Sequence, residues 1–135
     1  IPQRLIKAKV LSLAFKTMAA TRPPVTSHVL DTARGMPGSG MSVTLSMMSS
    51  NGEFQKIGSD VTNADGRCPQ LLDVGHKLIP GVYRCTFDTK AYFEATGQRG
   101  FFPEVAVMFE VESTTEHYHI PLLLSPFGYS TYRGS

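Results

Sequence analysis

Imidazole is the side chain whose unperturbed titration falls near neutral pH, so the four histidines, His28, His76, His117 and His119, come first. His117 and His119 stand two apart in an alternating segment, which sends both rings to one face of a strand. Such a pair reads as two metal ligands or as a surface or interface pair. A bound metal needs a third and fourth nitrogen, sulfur or carboxylate donor, and no neighbouring motif supplies them, so neither metal nor cofactor is expected. His76, between Gly75 and Lys77, reads as solvated. His28, in Ser27-His28-Val29-Leu30-Asp31, reads by itself as a satisfied structural histidine. Arg67 follows an Asp65-Gly66 turn as a solvated charge, and Tyr132-Arg133-Gly134-Ser135 has the composition of a frayed tail. Cys68 and Cys85 are too few and too far apart for a zinc site or a redox pair, and read as reduced, partly buried thiols of an intracellular protein. On residue types alone, an enzyme and a binding module fit equally.

The elements that must position these groups are short strands. Val25–Leu30 is the first, ended by Asp31-Thr32-Ala33-Arg34-Gly35 and Pro37-Gly38. From Met41 to Met48 apolar residues alternate through Met41, Val43, Leu45 and Met47, a half-buried antiparallel strand. Asn51-Gly52 predicts a tight hairpin turn into Phe54–Val61, and Asn63-Ala64-Asp65-Gly66 turns the chain again. In 81–87 the more apolar set is Tyr83, Cys85 and Phe87. Residues 88–97 form the one convincing helix, capped by Asp88 or Thr89 and left through Gly97. Val105–Val111, His117–Leu124 and Tyr129–Arg133 complete seven or eight strands, which with one short helix predicts an all-β two-sheet sandwich.

A chain of 135 residues, 41% of them hydrophobic, is enough for one compact domain with its own core and too short for the usual two. Its net charge of +2 suggests no strong preference for nucleic acid or acidic membranes, but the charge is unevenly placed. Residues 1–22 carry Arg4, Lys7, Lys9, Lys16, Arg22 and no acid, leaving eight of the 13 basic groups against all 11 acids in the rest. A basic extension, targeting or disordered, thus precedes a mildly acidic domain spanning residues 23–135. No apolar run approaches the ~20 residues of a membrane span. The stretch from Val10 to Phe15 is broken by Ser12 and closed by Lys16, short for a secretory signal.

The ordered set His28-Val29-Leu30-Asp31, Asp65-Gly66-Arg67-Cys68-Pro69, Gly81-Val82-Tyr83 and His117-Tyr118-His119-Ile120-Pro121-Leu122-Leu123-Leu124-Ser125-Pro126 resembles the transthyretin-like family. The ending Tyr129-Ser130-Thr131-Tyr132-Arg133-Gly134-Ser135 resembles that of the family's 5-hydroxyisourate hydrolase branch. Each block is weak alone; their order, spacing and common ending make the match specific over residues 25–135. Carriers of the family lack histidines matching His28 and His119, lack an arginine matching Arg67, and end in a longer tail.

The resemblance implies a prealbumin-like sandwich, assembled as dimers placed back to back in a homotetramer, with active sites in a channel at the dimer–dimer interface. It implies hydrolytic opening of the six-membered ring of 5-hydroxyisourate at an amide-type carbonyl, giving 2-oxo-4-hydroxy-4-carboxy-5-ureidoimidazoline. His28 and His119 would then activate water and return a proton, with His119 favoured as the base. Arg67 would clamp the purinone oxygens and offset developing charge. Tyr132 would close the pocket, with Ser130 beside it and Arg133, Gly134 and Ser135 completing the wall. The other reading is a carrier of small aromatic ligands in the same channel, without catalysis.

Animal hydrolases of the family are often peroxisomal, through a basic residue and Leu, five spacers, then His or Gln and Leu or Ala. Arg4-Leu5 begins that pattern and Leu11-Ser12 fails it. The expected location is therefore the peroxisome ahead of the cytoplasm, with a mitochondrial-type presequence third.

Overall fold

The computed structural model describes residues 22–135; the extension's targeting pattern lies outside the described residues. Within the described residues eight strands run β1 (Val25–Asp31), β2 (Met36–Pro37), β3 (Ser42–Met48), β4 (Phe54–Val61), β5 (Gly81–Phe87), β6 (Val105–Val111), β7 (Tyr118–Ser125) and β8 (Gly128–Thr131). One helix, α1 (Thr89–Ala95), follows β5. The strands form two four-stranded sheets, ordered β2-β1-β7-β8 and β4-β3-β5-β6.

The predicted alternation sets the core. Val43 and Leu45 of β3 are fully buried opposite Phe87 and Cys85 of β5, and Met47 faces Tyr83. Val25, Val29, Leu122 and Leu124 close the same core from the other sheet. Each such side chain contributes roughly 1.5–3 kcal/mol by leaving water. Cys68 and Cys85 are unbonded and wholly buried, where loss of solvent pushes both thiols up to about 12 and leaves them inert.

Several boundaries depart from the sequence reading. Met36–Pro37, expected to end β1 as part of a turn, instead doubles back and pairs with Leu30 and Asp31. The β3–β4 connection is the loop Ser49–Glu53 rather than a two-residue turn. Only Gly52 takes positive φ there, because the Asn51 side chain accepts from the Glu53 N–H instead of the residue entering the left-handed region. α1 starts as predicted, with the Asp88 carboxylate accepting from the Ala91 N–H at 3.2 Å, and it buries Thr89, Tyr92 and Phe93. The last strand stops at Thr131, two residues short of the expected Arg133.

One pairing matters most for function. β1 and β7 lie side by side in parallel, with Thr26 opposite His119 and His28 opposite Pro121. Val25, Ser27, Val29 and Asp31 are buried, so the period of two turns Thr26 and His28 to the outer face of the sheet. On β7, Tyr118, Ile120 and Leu122 are buried, and His119 takes the outer face. Among the described residues no helix is long and apolar enough to cross a membrane.

Candidate functional site

Two histidines 91 positions apart in the chain meet on that outer face. The rings of His28 and His119 stand 6.4 Å apart between centroids with 29° between their planes. His117, just ahead of β7, stacks on His119 from the other side at 6.5 Å and 16°. Thr26 lies between the last two: its Oγ1 is 2.7 Å from His119 Nδ1 and 2.9 Å from His117 Nε2. His117 Nδ1 is 2.8 Å from the Pro23 carbonyl oxygen.

Arg67 reaches this face through its turn. Asn63 accepts from the N–H groups of Asp65 and Arg67 through its side-chain oxygen, at 2.9 and 3.0 Å. Gly66 takes φ 76°, and a Cβ there would drive into the Val29 carbonyl, so only glycine lets the turn lie this close to β1. The Val29 N–H then donates to the Gly66 carbonyl at 2.8 Å, and Arg67 bridges to His28 in antiparallel register. Paired residues of such a bridge project to the same side, which puts the guanidinium stem beside the His28 ring.

The C-terminus is tied down rather than frayed. The Gly134 N–H donates to the His119 carbonyl at 2.9 Å, a bridge that continues the sheet past β8. A cavity of about 410 Å³ results, lined by Arg22, Thr26, Arg67, His117, His119 and Ser135. Its polar groups are bases, two arginine cations and hydroxyls, suited to hold a flat, oxygen-rich molecule and move protons on it. Among the described residues no group of three or more His, Cys, Asp or Glu side chains could hold a metal ion.

His117 and His119 are tuned toward the neutral form. Burial, then the positive charge of Arg67 and electrostatic opposition from the His117 and His28 imidazoles, hold His119 below the ordinary imidazole value. Burial and the charge of Arg22 do the same for His117, against an opposing hydrogen bond to Pro23.

The structure thus brings His28, Arg67, His119, Gly134 and Ser135 together. It sets the other expected residues elsewhere in the single chain. Tyr132 and Arg133 line an apolar recess of about 250 Å³ with Met108, Phe109 and Tyr118, between the open edges of the two sheets. The Arg133 guanidinium sits 4.7 Å above the Tyr118 ring and 3.8 Å from the Glu116 carboxylate. Ser130 pairs with Leu123 and is exposed. Sequence reasoning missed Thr26, whose one signal is its spacing of two from His28.

Comparison with known proteins agrees with the geometry. The family model described as "HIUase/Transthyretin family" matches residues 25–134. The mouse 5-hydroxyisourate hydrolase is 44% identical over 119 residues, covering 87% of this chain and all of its own. The Pseudomonas aeruginosa 5-hydroxyisourate hydrolase is 41% identical over 115 residues, covering 82% and 90%. Among solved structures, the Klebsiella pneumoniae 5-hydroxyisourate hydrolase superposes with a TM-score of 0.71 at 33% identity, covering 82% of this chain and 98% of that one. Sea bream transthyretin in complex with thyroxine gives 0.77 at the same 33%, covering 82% and 94%. Backbone likeness therefore does not separate hydrolase from hormone binder, and the side chains of the cleft must. With its motif blocks, its two-sheet sandwich and the matched span from β1 to the C-terminal bridge all in agreement, the chain belongs to the HIUase/transthyretin family.

Proposed function

We propose that this chain hydrolyses 5-hydroxyisourate to 2-oxo-4-hydroxy-4-carboxy-5-ureidoimidazoline, a step of urate degradation. The observation that carries the reading is the pairing of the His28 and His119 rings at 6.4 Å beside the Arg67 bridge. A site for holding a ligand alone has no use for two stacked imidazoles, one of them, His119, kept toward the neutral form by burial; a hydrolytic site does. His119 takes a proton from water as the oxygen bonds to the ring carbonyl carbon. Arg67 offsets the charge that collects on the carbonyl oxygen. The carbon–nitrogen bond then breaks, the ring nitrogen leaves with the proton returned by the imidazolium, and the new carboxyl group is released. His28 orients the water or the substrate.

Ser130, Tyr132 and Arg133 enter this reading as substrate-binding residues through assembly. Among the described residues of one chain, β6 and β8 are unpaired sheet edges, and Met108 and Tyr132 between them are more than half exposed. Pairing of those edges and back-to-back stacking of the outer faces would make a homotetramer whose clefts are completed by neighbouring chains. For location the reading is the peroxisome ahead of the cytoplasm, resting on Arg4-Leu5 in the basic extension. Fusing residues 1–22 to a fluorescent reporter tests it, and a diffuse signal would remove it.

The primary test is ultraviolet monitoring of freshly generated 5-hydroxyisourate with and without protein, corrected for spontaneous decay. Accelerated loss is expected. Saturable binding with no acceleration would instead establish a carrier of small aromatic ligands.

A further inference from the structure

We propose that Thr26 and His117 are positioning residues which fix His119 as the tautomer with its proton on Nδ1, leaving the Nε2 lone pair for water. This rests on the hydrolytic reading above only for its effect on rate; the tautomer itself follows from hydrogen-bond bookkeeping.

The chain of bonds begins at an atom with no choice. The Pro23 carbonyl oxygen can only accept, so His117 Nδ1, 2.8 Å away, carries a proton and donates it. Burial favours neutral His117, and a neutral imidazole protonated on Nδ1 has an acceptor at Nε2. That acceptor lies 2.9 Å from Thr26 Oγ1, whose single hydrogen therefore points to His117. The hydroxyl has nothing left to give His119 and can only accept from it. At 2.7 Å, His119 Nδ1 must be the donor. The second ring nitrogen, Nε2, is then unprotonated and is the one that can take a proton from water. The proton sits on Nδ1 because three groups upstream agree, not because His119 prefers it; a solvated imidazole places its proton mainly on Nε2.

The same bookkeeping couples the two histidines. A protonated His117 donates from both nitrogens, which turns the Thr26 hydrogen toward His119 Nδ1 and moves the His119 proton to Nε2, where it blocks the base. His117 thereby acts on the base through Thr26.

The test is nitrogen-15 NMR of the full chain labelled at histidine, which reports the tautomer directly from long-range ring correlations, together with steady-state hydrolysis. In the unaltered protein His119 should carry its proton on Nδ1. Thr26→Val keeps shape and removes the hydroxyl; the His119 proton should shift toward Nε2 and kcat should fall about tenfold, with KM within about twofold. Thr26→Ser should restore both the tautomer and the rate. Proton on Nε2 in the unaltered protein, or a tautomer unmoved by Thr26→Val, would overturn the proposal. A protein with the Nδ1-protonated ring and no hydroxyisourate hydrolysis would overturn the functional reading while leaving the tautomer assignment standing.

Discussion

Gly134 lies against the His119 ring so closely that a Cβ on it would stand 2.5 Å from the imidazole Cδ2. The glycine N–H is also bonded to the His119 carbonyl, so the tail holds the backbone of the residue whose ring it touches. A methyl group at 134 must therefore displace the ring, the tail or both. Because the ring is fixed on its far side by Thr26, the expected consequence of Gly134→Ala is misalignment of the base. A displacement near 1 Å is enough to cost about 100-fold in rate. The tail lies outside the core, so the melting temperature should hold within a few degrees. Initial rates and thermal denaturation of the variant check both halves; wild-type turnover would mean that the tail does not set the ring.

Arg67 offers both a positive charge and a planar fork of donors, and the two can be separated. Arg67→Lys keeps the charge and loses the fork. If the fork stabilises the oxyanion, kcat should fall about 10²–10³-fold in that variant. His119→Asn removes the base and should lose about 10²–10⁴-fold. Both positions are on the outer face or exposed, and urea unfolding should show little change in stability. A lysine variant with full kcat would confine Arg67 to an electrostatic role.

The strands of the core were legible because period two is a local signal: Tyr83, Cys85 and Phe87 could be assigned inward from their own segment. Met36–Pro37 was not, since a two-residue strand has no period and its Pro-Gly neighbour reads as a turn. The site was legible only through resemblance. His28 and His119 become neighbours through the parallel pairing of β1 with β7, a relation between distant segments that no window of sequence contains. Thr26 illustrates the limit. Its face follows from its spacing to His28, but its partners follow from register, and register is tertiary.

Acid should switch the reaction off along a predictable limb. The base form of His119 is the neutral one, and burial, the Arg67 charge and the neighbouring imidazoles keep its folded pKa below the ordinary imidazole value. Activity should therefore hold at neutral pH and above on this limb and be lost as pH falls through the lowered value, below the ordinary imidazole range. Arg67→Gln removes one of the charges opposing protonation, so its acid limb should move to higher pH, whereas Arg67→Lys should leave it in place. Profiles of kcat/KM against pH report the free enzyme and would show the shift. Since His117 and His119 share one hydroxyl, the limb belongs to the pair. Identical limbs in the two variants would mean that Arg67 does not face His119 electrostatically.

Asp31 supplies a separate prediction about stability. Its side chain is fully buried at the end of β1, where it accepts from Tyr92 Oη at 2.6 Å, Gln98 Nε2 at 3.0 Å and the Arg34 N–H at 3.0 Å. Arg34 Nε lies 3.3 Å from it. Burial alone would raise this carboxyl, but the hydrogen bonds and the arginine charge outweigh it and hold the group below 3.8. A carboxyl whose folded value lies below its unfolded value stabilises the fold fully above the unfolded value, and that stability drains away as pH falls through the folded one. Asp31→Asn removes the charge and turns an NH₂ toward groups that are themselves donors. It should cost about 2–4 kcal/mol at pH 7, the range for breaking a buried charged hydrogen-bond set. The gap between the two proteins should then narrow as pH is lowered from 5 toward 3, because the wild-type carboxylate is being neutralised while asparagine does not titrate. Urea unfolding across that range measures it; a gap independent of pH would assign the effect of Asp31 to packing and hydrogen-bond shape rather than to its charge.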